Sequence, residues 1–173
     1  IQLAKRMEEA ALNGAESIAS LDYCVLCMGK REVAIVNSLG LDISYTKNFA
    51  SGYVSAIARN GEETKKGSAF WKGTDWADFN PEETGRKAAR RGAALLGAGT
   101  VDSGTYAAVL DGKAMTSLLA SFSGIFFGEN VQKGFSLLKD RLGDKVAASC
   151  VTLRDDALLE GGYASVPFDS EGV

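Results

Sequence analysis

The chain has 173 residues and a mass of 18.2 kDa, of which 46% are hydrophobic and 24% are charged. These values are typical of a folded protein with one domain or two small ones, and they exclude disordered, collagen-like and coiled-coil classes. The formal net charge is −3, so the overall field disfavours non-specific nucleic-acid binding. No apolar run approaches the roughly 20 residues of a membrane-spanning helix.

Histidine is absent from the sequence. This excludes His-ligated zinc sites, Ser-His-Asp triads and Cys-His dyads within these residues. Three cysteines without a secretory signal indicate a reducing cytoplasm rather than a disulfide framework. Cys24 and Cys27 form a C-x-x-C within a predicted strand, where a spacing of three places side chains on opposite faces, so we predict two buried thiols rather than a metal or redox pair.

The first half of the chain predicts a helix followed by antiparallel strands. Apolar residues at helical spacing start near Leu3 and stop at Asn13-Gly14. From Ile18 to about Lys72 the pattern is that of strands, with hairpin turns predicted at residues 37–40 and at Asn60-Gly61. We expect a meander of about four strands.

A second helix is predicted from Asn80, its N-cap, to about Leu96. Glu82 and Glu83 precede two of its basic residues by four positions, which favours a solvated, partly self-paired face over a nucleic-acid patch. The basic residues are Arg86, Lys87, Arg90 and Arg91. The opposite face is small, and we expect it to pack closely on the sheet. Its residues are Ala89, Gly92, Ala93 and Leu96.

Residues 97–102 resemble the start of a dinucleotide-binding fingerprint, but they follow a helix and carry Asp102 at the third glycine position, so a linker is favoured. A strand at 106–110, a turn at Asp111-Gly112 and a helix to about Ser123 then predict a new unit. The fold class is α+β: an antiparallel β-meander packed against helices over residues 1–99, followed by the start of a second α+β unit over residues 100–173. The apolar run 122–127 must be covered, either by a missing remainder of the unit or by a partner. Burial between domains or subunits and burial in ordinary core are equal alternatives for it.

Two further patterns indicate local backbone structure rather than a catalytic or metal-binding site. Ser136 and Lys139 match the S-x-x-K signature of penicillin-binding-type acylases, but no K-T-G motif accompanies them, and a helix turn is predicted. The acidic residues at 155–156 and 169–171 do not follow the calcium-loop pattern, which favours turn and cap roles. No catalytic, cofactor-binding or metal-ligating residue is assigned in this chain.

Four stretches in order carry a family resemblance: residues 33–40, 104–111, 134–143 and 168–172. Together they resemble the TldD/PmbA family of cytoplasmic peptidases, once described as modulators of DNA gyrase. The resemblance covers essentially the whole chain. It implies that residues 1–99 are the second, middle domain of such a protein, that residues 100–173 begin its third, C-terminal domain, and that the chain is an internal piece of a longer protein.

What the resemblance implies for function depends on one difference between this sequence and the catalytic members of the family. Catalytic TldD-type members carry His-Glu-x-x-x-His on a helix that corresponds here to residues 118–125, which read Leu-Leu-Ala-Ser-Phe-Ser-Gly-Ile. The chain is therefore similar to the PmbA (TldE) branch, the partner of a TldD-type metallopeptidase subunit. The resemblance implies a homo- or hetero-oligomer that encloses a chamber for unfolded peptides, with zinc only in the TldD-type partner and with no membrane or nucleic acid.

Two alternatives stay open. One is a non-enzymatic regulator that binds a protein such as gyrase, or DNA through the basic residues of the second helix. The other is an independent hydrolase that uses Ser136 and Lys139 or the late carboxylates, insensitive to chelators.

Overall fold

Three consecutive strands pair antiparallel in the order β1-β2-β3, and two helices lie against them. The computed structural model describes residues 1–173. The elements are α1 (Gln2–Leu12), β1 (Ile18–Val36), β2 (Asp42–Asn60), β3 (Glu63–Gly73), α2 (Pro81–Ala93), α3 (Gly112–Phe122), a short 3₁₀ helix (Ser123–Phe126) and α4 (Gly128–Gln132). This arrangement confirms the α+β class.

The chain divides into two compact units. The first unit comprises residues 1–100 together with residues 156–173, and the second comprises residues 101–155. The predicted domain boundary near Gly99 stays a prediction. None of the helices combines the length and the apolarity that crossing a bilayer requires.

Both predicted hairpins form, and each has a local cause. The side-chain oxygen of Asn37 accepts from the backbone N–H groups of Leu39 and Leu41, at 2.9 and 3.1 Å, which closes the β1–β2 turn. Gly40 in that turn and Gly61 in the β2–β3 turn adopt φ of 95° and 58°, a region that glycine reaches without steric cost. The predicted meander is confirmed.

The number of strands is three rather than about four. A fourth strand would require a break within residues 42–60. β2 instead runs without a break through this region, because it pairs with β1 along its whole length and its polar side chains there reach solvent. Polarity alone does not end a strand whose neighbour continues.

Helices α1 and α2 begin and end close to the predicted positions. Asn80 caps α2 by accepting from the backbone N–H of Glu83 at 2.9 Å, and Pro81 occupies the first turn. The hydrophobic core lies between these helices and one face of the sheet, and most of its members are small. It comprises Met7, Ala11, Val54, Ala56, Ala69, Phe79 and Ala88.

Glycines allow the helices and the sheet to approach closely. A Cβ at Gly67 of β3 would overlap the backbone of Ala88 and Gly92 in α2. A Cβ at Gly85 would overlap the backbone of Met7 in α1. The predicted small face of α2 is confirmed in part: Gly92 packs on the sheet and Ala89 is buried against Gly14. Ala93 is only half-buried, and Leu96 lies beyond the end of α2.

The expected ion pairs of α2 form with different partners. Glu82 binds Arg6 of α1 through two hydrogen bonds of 2.5 and 3.0 Å, rather than Arg86. Glu83 pairs with Arg90 at 2.6 Å and with Arg86 at 3.6 Å, rather than with Lys87. A guanidinium that meets both carboxylate oxygens outcompetes a single contact along the helix.

The second unit contains helices and turns but no strand. Residues 106–110, predicted as a strand, have no partner with which to form ladder hydrogen bonds, so this prediction is wrong. Asp111 caps α3 by accepting from the N–H of Ala114 at 2.7 Å, as the predicted turn requires. The large apolar side chains of α3 are exposed, because no layer in this unit covers them. They are Met115, Leu118, Leu119 and Phe122.

The last residues of the chain pack on the β1–β2 hairpin within the first unit. Beyond β3, strands β1 and β2 continue as a two-stranded ribbon from Gly29 paired with Phe49 to Val36 paired with Asp42. Tyr45 on this ribbon meets Phe168 edge to face, with ring centroids 5.1 Å apart. The segment 156–173 thus gives the ribbon its second layer.

Candidate functional site

Helix α3 lies where the resemblance places the zinc-binding helix of catalytic family members. Two of its three hydroxyl groups, those of Thr116 and Ser121, are engaged with its own backbone. Thr116 donates to the carbonyl of Gly112 at 2.7 Å, and Ser121 donates to that of Ser117 at 2.9 Å. Ser123, directly after α3, donates to the carbonyl of Ala120 at 2.9 Å. The remaining side chains from residue 118 to residue 125 are apolar or glycine.

These residues do not fit a zinc ion. Protein zinc sites use imidazole, thiolate or carboxylate ligands, and α3 with the following turn offers none of them. No group of three or more Cys, Asp or Glu side chains in the structure is placed to hold a metal ion.

The C-x-x-C cysteines lie on opposite faces of β1, as the strand spacing requires. Cys24 faces α1, where its thiol lies 3.6 Å from the carbonyl oxygen of Ala4, and partial burial raises the pKa of this thiol. Cys27 is exposed on the other face, so the prediction of two buried thiols is wrong for this residue. The cause is that helices cover only one face of the sheet. All three cysteines, including Cys150, are free thiols.

Ser136 is buried and serves a structural role. Its hydroxyl donates to the carbonyl of Ile125 at 2.5 Å and accepts from the N–H of Leu138 at 3.0 Å. It lies in a turn after α4, not in a helix as predicted. Because the hydroxyl is occupied in both directions, the arrangement gives no support to a serine nucleophile paired with Lys139.

The late carboxylates act as turn formers. Asp169 accepts from the N–H groups of Glu171 and Val173 at 2.8 and 3.1 Å, and these bonds lower the pKa of its carboxyl group. Asp156 accepts from the N–H of Leu158 at 3.2 Å. The expected turn roles are confirmed for these two residues.

The linker predicted at residues 97–102 follows a turn after α2. Gly97 adopts φ of 73°, and its N–H donates to the carboxylate of Glu63. A negative charge at this N–H occupies a donor that a phosphate would need. The contact therefore favours a structural turn over a dinucleotide-binding loop.

The sheet has a second face that the helices leave uncovered, which we call the outer sheet face. Cross-strand neighbours Val25, Tyr53 and Phe70 form an apolar row across all three strands. Tyr23 lies beside it, with its ring 6.4 Å from that of Tyr53. The ammonium of Lys66 on β3 lies 2.6 Å from a carboxylate oxygen of Asp22 on β1, and this contact raises the pKa of the lysine. Aromatic side chains on an exposed sheet are typical of a contact surface.

Sequence reasoning missed the outer sheet face. Aromatic and β-branched residues at alternate positions of a strand predict a buried face, and here both faces of the strands carry them. That double pattern is the signal in the sequence that the second face also carries apolar side chains. Ser55 in its centre is fully buried, with a hydroxyl group that has no hydrogen-bond partner.

An apolar groove of about 710 Å³ lies within the second unit. Its lining includes Leu119 of α3, Phe126 of the 3₁₀ helix, Leu138 and residues 145–149. The rings of Phe122 and Phe127 nearby in sequence are 54% and 58% exposed. The run 122–127, expected to need cover, is therefore not covered by the second unit itself.

Comparison with known families gives two matches that together span nearly the whole chain. The model of the PmbA/TldA metallopeptidase central domain matches residues 1–96. That of the PmbA/TldA metallopeptidase C-terminal domain matches residues 103–173.

Curated relatives and solved structures agree with this match. The chain is 28% identical over 181 residues to Metalloprotease PmbA of Escherichia coli O157:H7, and 28% identical over 153 residues to a metalloprotease of Methanothermobacter thermautotrophicus. These alignments cover 100% and 81% of the chain, and 39% and 32% of the relatives. The chain therefore spans about two fifths of the first relative and about a third of the second.

The fold also matches solved structures. A Thermotoga maritima protein, solved as a candidate modulator of a DNA gyrase, superposes with a TM-score of 0.86 and 32% identity over 99% of this chain and 40% of its own. A Bacteroides thetaiotaomicron protein with a similar description gives a TM-score of 0.85 and 26% identity, over 99% of this chain and 39% of its own. With both domain models matched in order, the chain belongs to the PmbA/TldD metallopeptidase family.

Proposed function

We propose that this chain belongs to a PmbA (TldE)-like subunit that is not itself catalytic and that assembles with a TldD-type metallopeptidase subunit. In this proposal the assembly works in the cytoplasm and encloses a chamber in which unfolded peptides are degraded or processed. The observation that carries the proposal is the composition of α3 and the residues after it. Where a catalytic member would present imidazole and carboxylate, this chain presents aliphatic, aromatic and hydroxyl side chains.

The local structure of α3 supports this interpretation. A water-activating metal needs ligands that are free to bind it. The hydroxyl groups of Thr116 and Ser121 donate to carbonyls one turn earlier, so they are not oriented by a ligand. Zinc in the proposed assembly comes from the TldD-type subunit.

Two uncovered surfaces support a role in assembly. The outer sheet face exposes aromatic rings in the first unit, and the apolar groove with the run 122–127 does so in the second. Aromatic residues are enriched at the centres of protein interfaces. A subunit without a metal still contributes walls and contact surfaces to a shared chamber.

The test is a peptidase assay on an unfolded peptide with the protein that carries this chain, alone and mixed with a His-Glu-x-x-x-His-bearing sibling. We expect activity only in the mixture, and complete loss with a chelator. Activity of the protein alone would contradict the non-catalytic role. If the mixture shows no peptidase activity in conditions where a known TldD-type pair is active, the proposed assembly is contradicted.

A second candidate is a regulator that binds gyrase or another protein without proteolysis. It is favoured by the descriptions of the solved relatives, which name a gyrase modulator. A supercoiling assay with purified gyrase tests it: a dose-dependent change in the absence of any peptidase partner would support this candidate. The ion pairs of α2 argue against a direct DNA contact, because Glu83 shares its single negative charge between Arg86 and Arg90 and so offsets part of their charge.

A further inference from the structure

A pocket of about 320 Å³ opens within the first unit, between the β1–β2 ribbon and the segment 156–173. Three residues on the ribbon bring cations and an aromatic ring to it: Arg31, Lys47 and Phe49. Tyr163 lies on the other side, 38% exposed. The volume is at the lower end of the roughly 300–1,000 Å³ of ligand pockets, which suits a short piece of peptide rather than a folded partner.

The two cations face each other without a counter-charge. Arg31 and Lys47 are direct cross-strand partners in the β1–β2 register. Like charges at such positions repel, and this destabilises a ribbon unless something offsets it. Neither residue forms an ion pair with any carboxylate of the chain.

Lys47 is held in place by neutral groups only. Its ammonium donates to the carbonyl oxygen of Gly162 at 3.0 Å and to that of Ser165. These two bonds fix the charge at the pocket, but carbonyl dipoles do not neutralise it. Arg31 has no ion pair at all, so its guanidinium is available to an incoming anion.

Aromatic and apolar walls surround this charge. Tyr45 is held against Phe168 with ring centroids 5.1 Å apart, and Phe49 lies over Gly29, where no side chain would fit beneath its ring. The ammonium of Lys72, which does not line the pocket, lies 5.0 Å from the centroid of the Tyr163 ring. Apolar walls around a guanidinium favour an organic carboxylate over a strongly hydrated inorganic anion.

We propose that this pocket binds a carboxylate of an extended peptide, with Arg31 as the principal donor and Lys47 as a fixed second charge. That the ligand is a peptide rests on the function proposed above, whereas the preference for a carboxylate rests on the pocket itself. A peptide can supply this carboxylate in two ways, through its C-terminus or through the side chain of Asp or Glu. Both fit a planar guanidinium that binds two oxygens at once.

The test measures peptide binding to this chain by titration calorimetry, without any peptidase partner. Four versions of one unstructured peptide ending in Phe-Glu are compared, with the last side chain as Glu or Gln and the C-terminus free or amidated. Binding that is lost on amidation assigns the C-terminal carboxylate, and binding that is lost with Gln assigns the side chain. We expect the fully neutral version to bind at least about tenfold more weakly than the best version.

Arg31→Gln provides the residue-level test. We expect at least about tenfold weaker binding of the acidic peptide, with no loss of thermal stability, because the substitution also removes the repulsion with Lys47. Arg59→Gln is the matched control, since Arg59 is exposed, lies outside the pocket and carries the same charge. It leaves affinity unchanged within about twofold.

Three outcomes would overturn the proposal. The first is equal binding of all four peptides, or no binding of any of them up to millimolar concentration. The second is an equal loss of affinity in Arg31→Gln and Arg59→Gln. The third is displacement of the bound peptide by inorganic phosphate at the same concentration as the peptide. Because no catalytic partner is present, these outcomes leave the proposed subunit role standing. Loss of activity in the mixed peptidase assay, with peptide binding intact, would instead contradict that role alone.

Discussion

Both carboxylate oxygens of Glu63 accept the backbone N–H of Gly97, at 3.2 Å to Oε1 and 3.0 Å to Oε2. The contact joins the first residue of β3 to the turn that follows α2. It is the largest cause of the lowered pKa of Glu63, and Lys65 at 3.3 Å adds to it.

The first prediction concerns the pH dependence of this contact. Because the pKa of Glu63 is lower in the folded state, its contribution is fully present above the unfolded value, near 4.5, and is lost as pH falls through the lower folded value. Glu63→Gln should lower the urea midpoint at pH 7, and the difference from the wild type should shrink as pH falls below about 4. Glu62→Gln, which lacks the bond to Gly97, should show no such trend. A constant difference across the range would contradict the assignment.

The second prediction tests the close approach of β3 and α2. Gly67→Ala places a methyl group against the backbone of Ala88 and Gly92, which cannot yield as a flexible side chain would. We expect a loss of about 1–3 kcal/mol in the free energy of unfolding, measured by denaturant titration. Gly99→Ala, which meets nothing within 4 Å, is the matched control. Equal stabilities of the two variants would show that the helix is free to move away.

The third prediction compares two buried serines. Ser55 has a hydroxyl group with no partner, so Ser55→Ala should keep or raise the free energy of unfolding, by up to about 1 kcal/mol. Ser136 bonds both Ile125 and Leu138, so Ser136→Ala should cost about 1–3 kcal/mol locally. Hydrogen exchange resolves the two units separately. A large loss at Ser55 would mean that its hydroxyl has a partner after all.

The fourth prediction tests the layer on the ribbon. Phe168→Ala removes the ring that meets Tyr45, and we expect about 1 kcal/mol less protection of the ribbon amides in hydrogen exchange. Residues near Met7 in the core should keep their protection. Phe135→Ala, an exposed phenylalanine in the second unit, should leave the ribbon unchanged. Unchanged exchange in Phe168→Ala would show that the ribbon is stable without this segment.

Local signals predicted most of the first unit. The cap at Asn80, the turn glycine at Gly61 and the stop after α1 act within a few residues, so the sequence alone is enough to locate them. The strand expected at residues 106–110 did not form, because a strand depends on a partner that local pattern does not supply.

Long-range relationships were not predictable in the same way. Arg6 and Glu82 are 76 residues apart, and their pairing depends on how α1 packs against α2. The pocket at Arg31 needs a segment that begins at residue 156, and nothing in the periodicity of either stretch indicates the other. The absence of zinc ligands on α3, in contrast, follows directly from residue types.

The ribbon and its second layer are made at different times. Lys47 reaches carbonyl groups 115 and 118 positions later in the chain. On a ribosome, the hairpin therefore emerges long before the residues that pack on it, and a two-stranded ribbon alone is only marginally stable. The pocket that carries Arg31 therefore forms only when synthesis has passed residue 165.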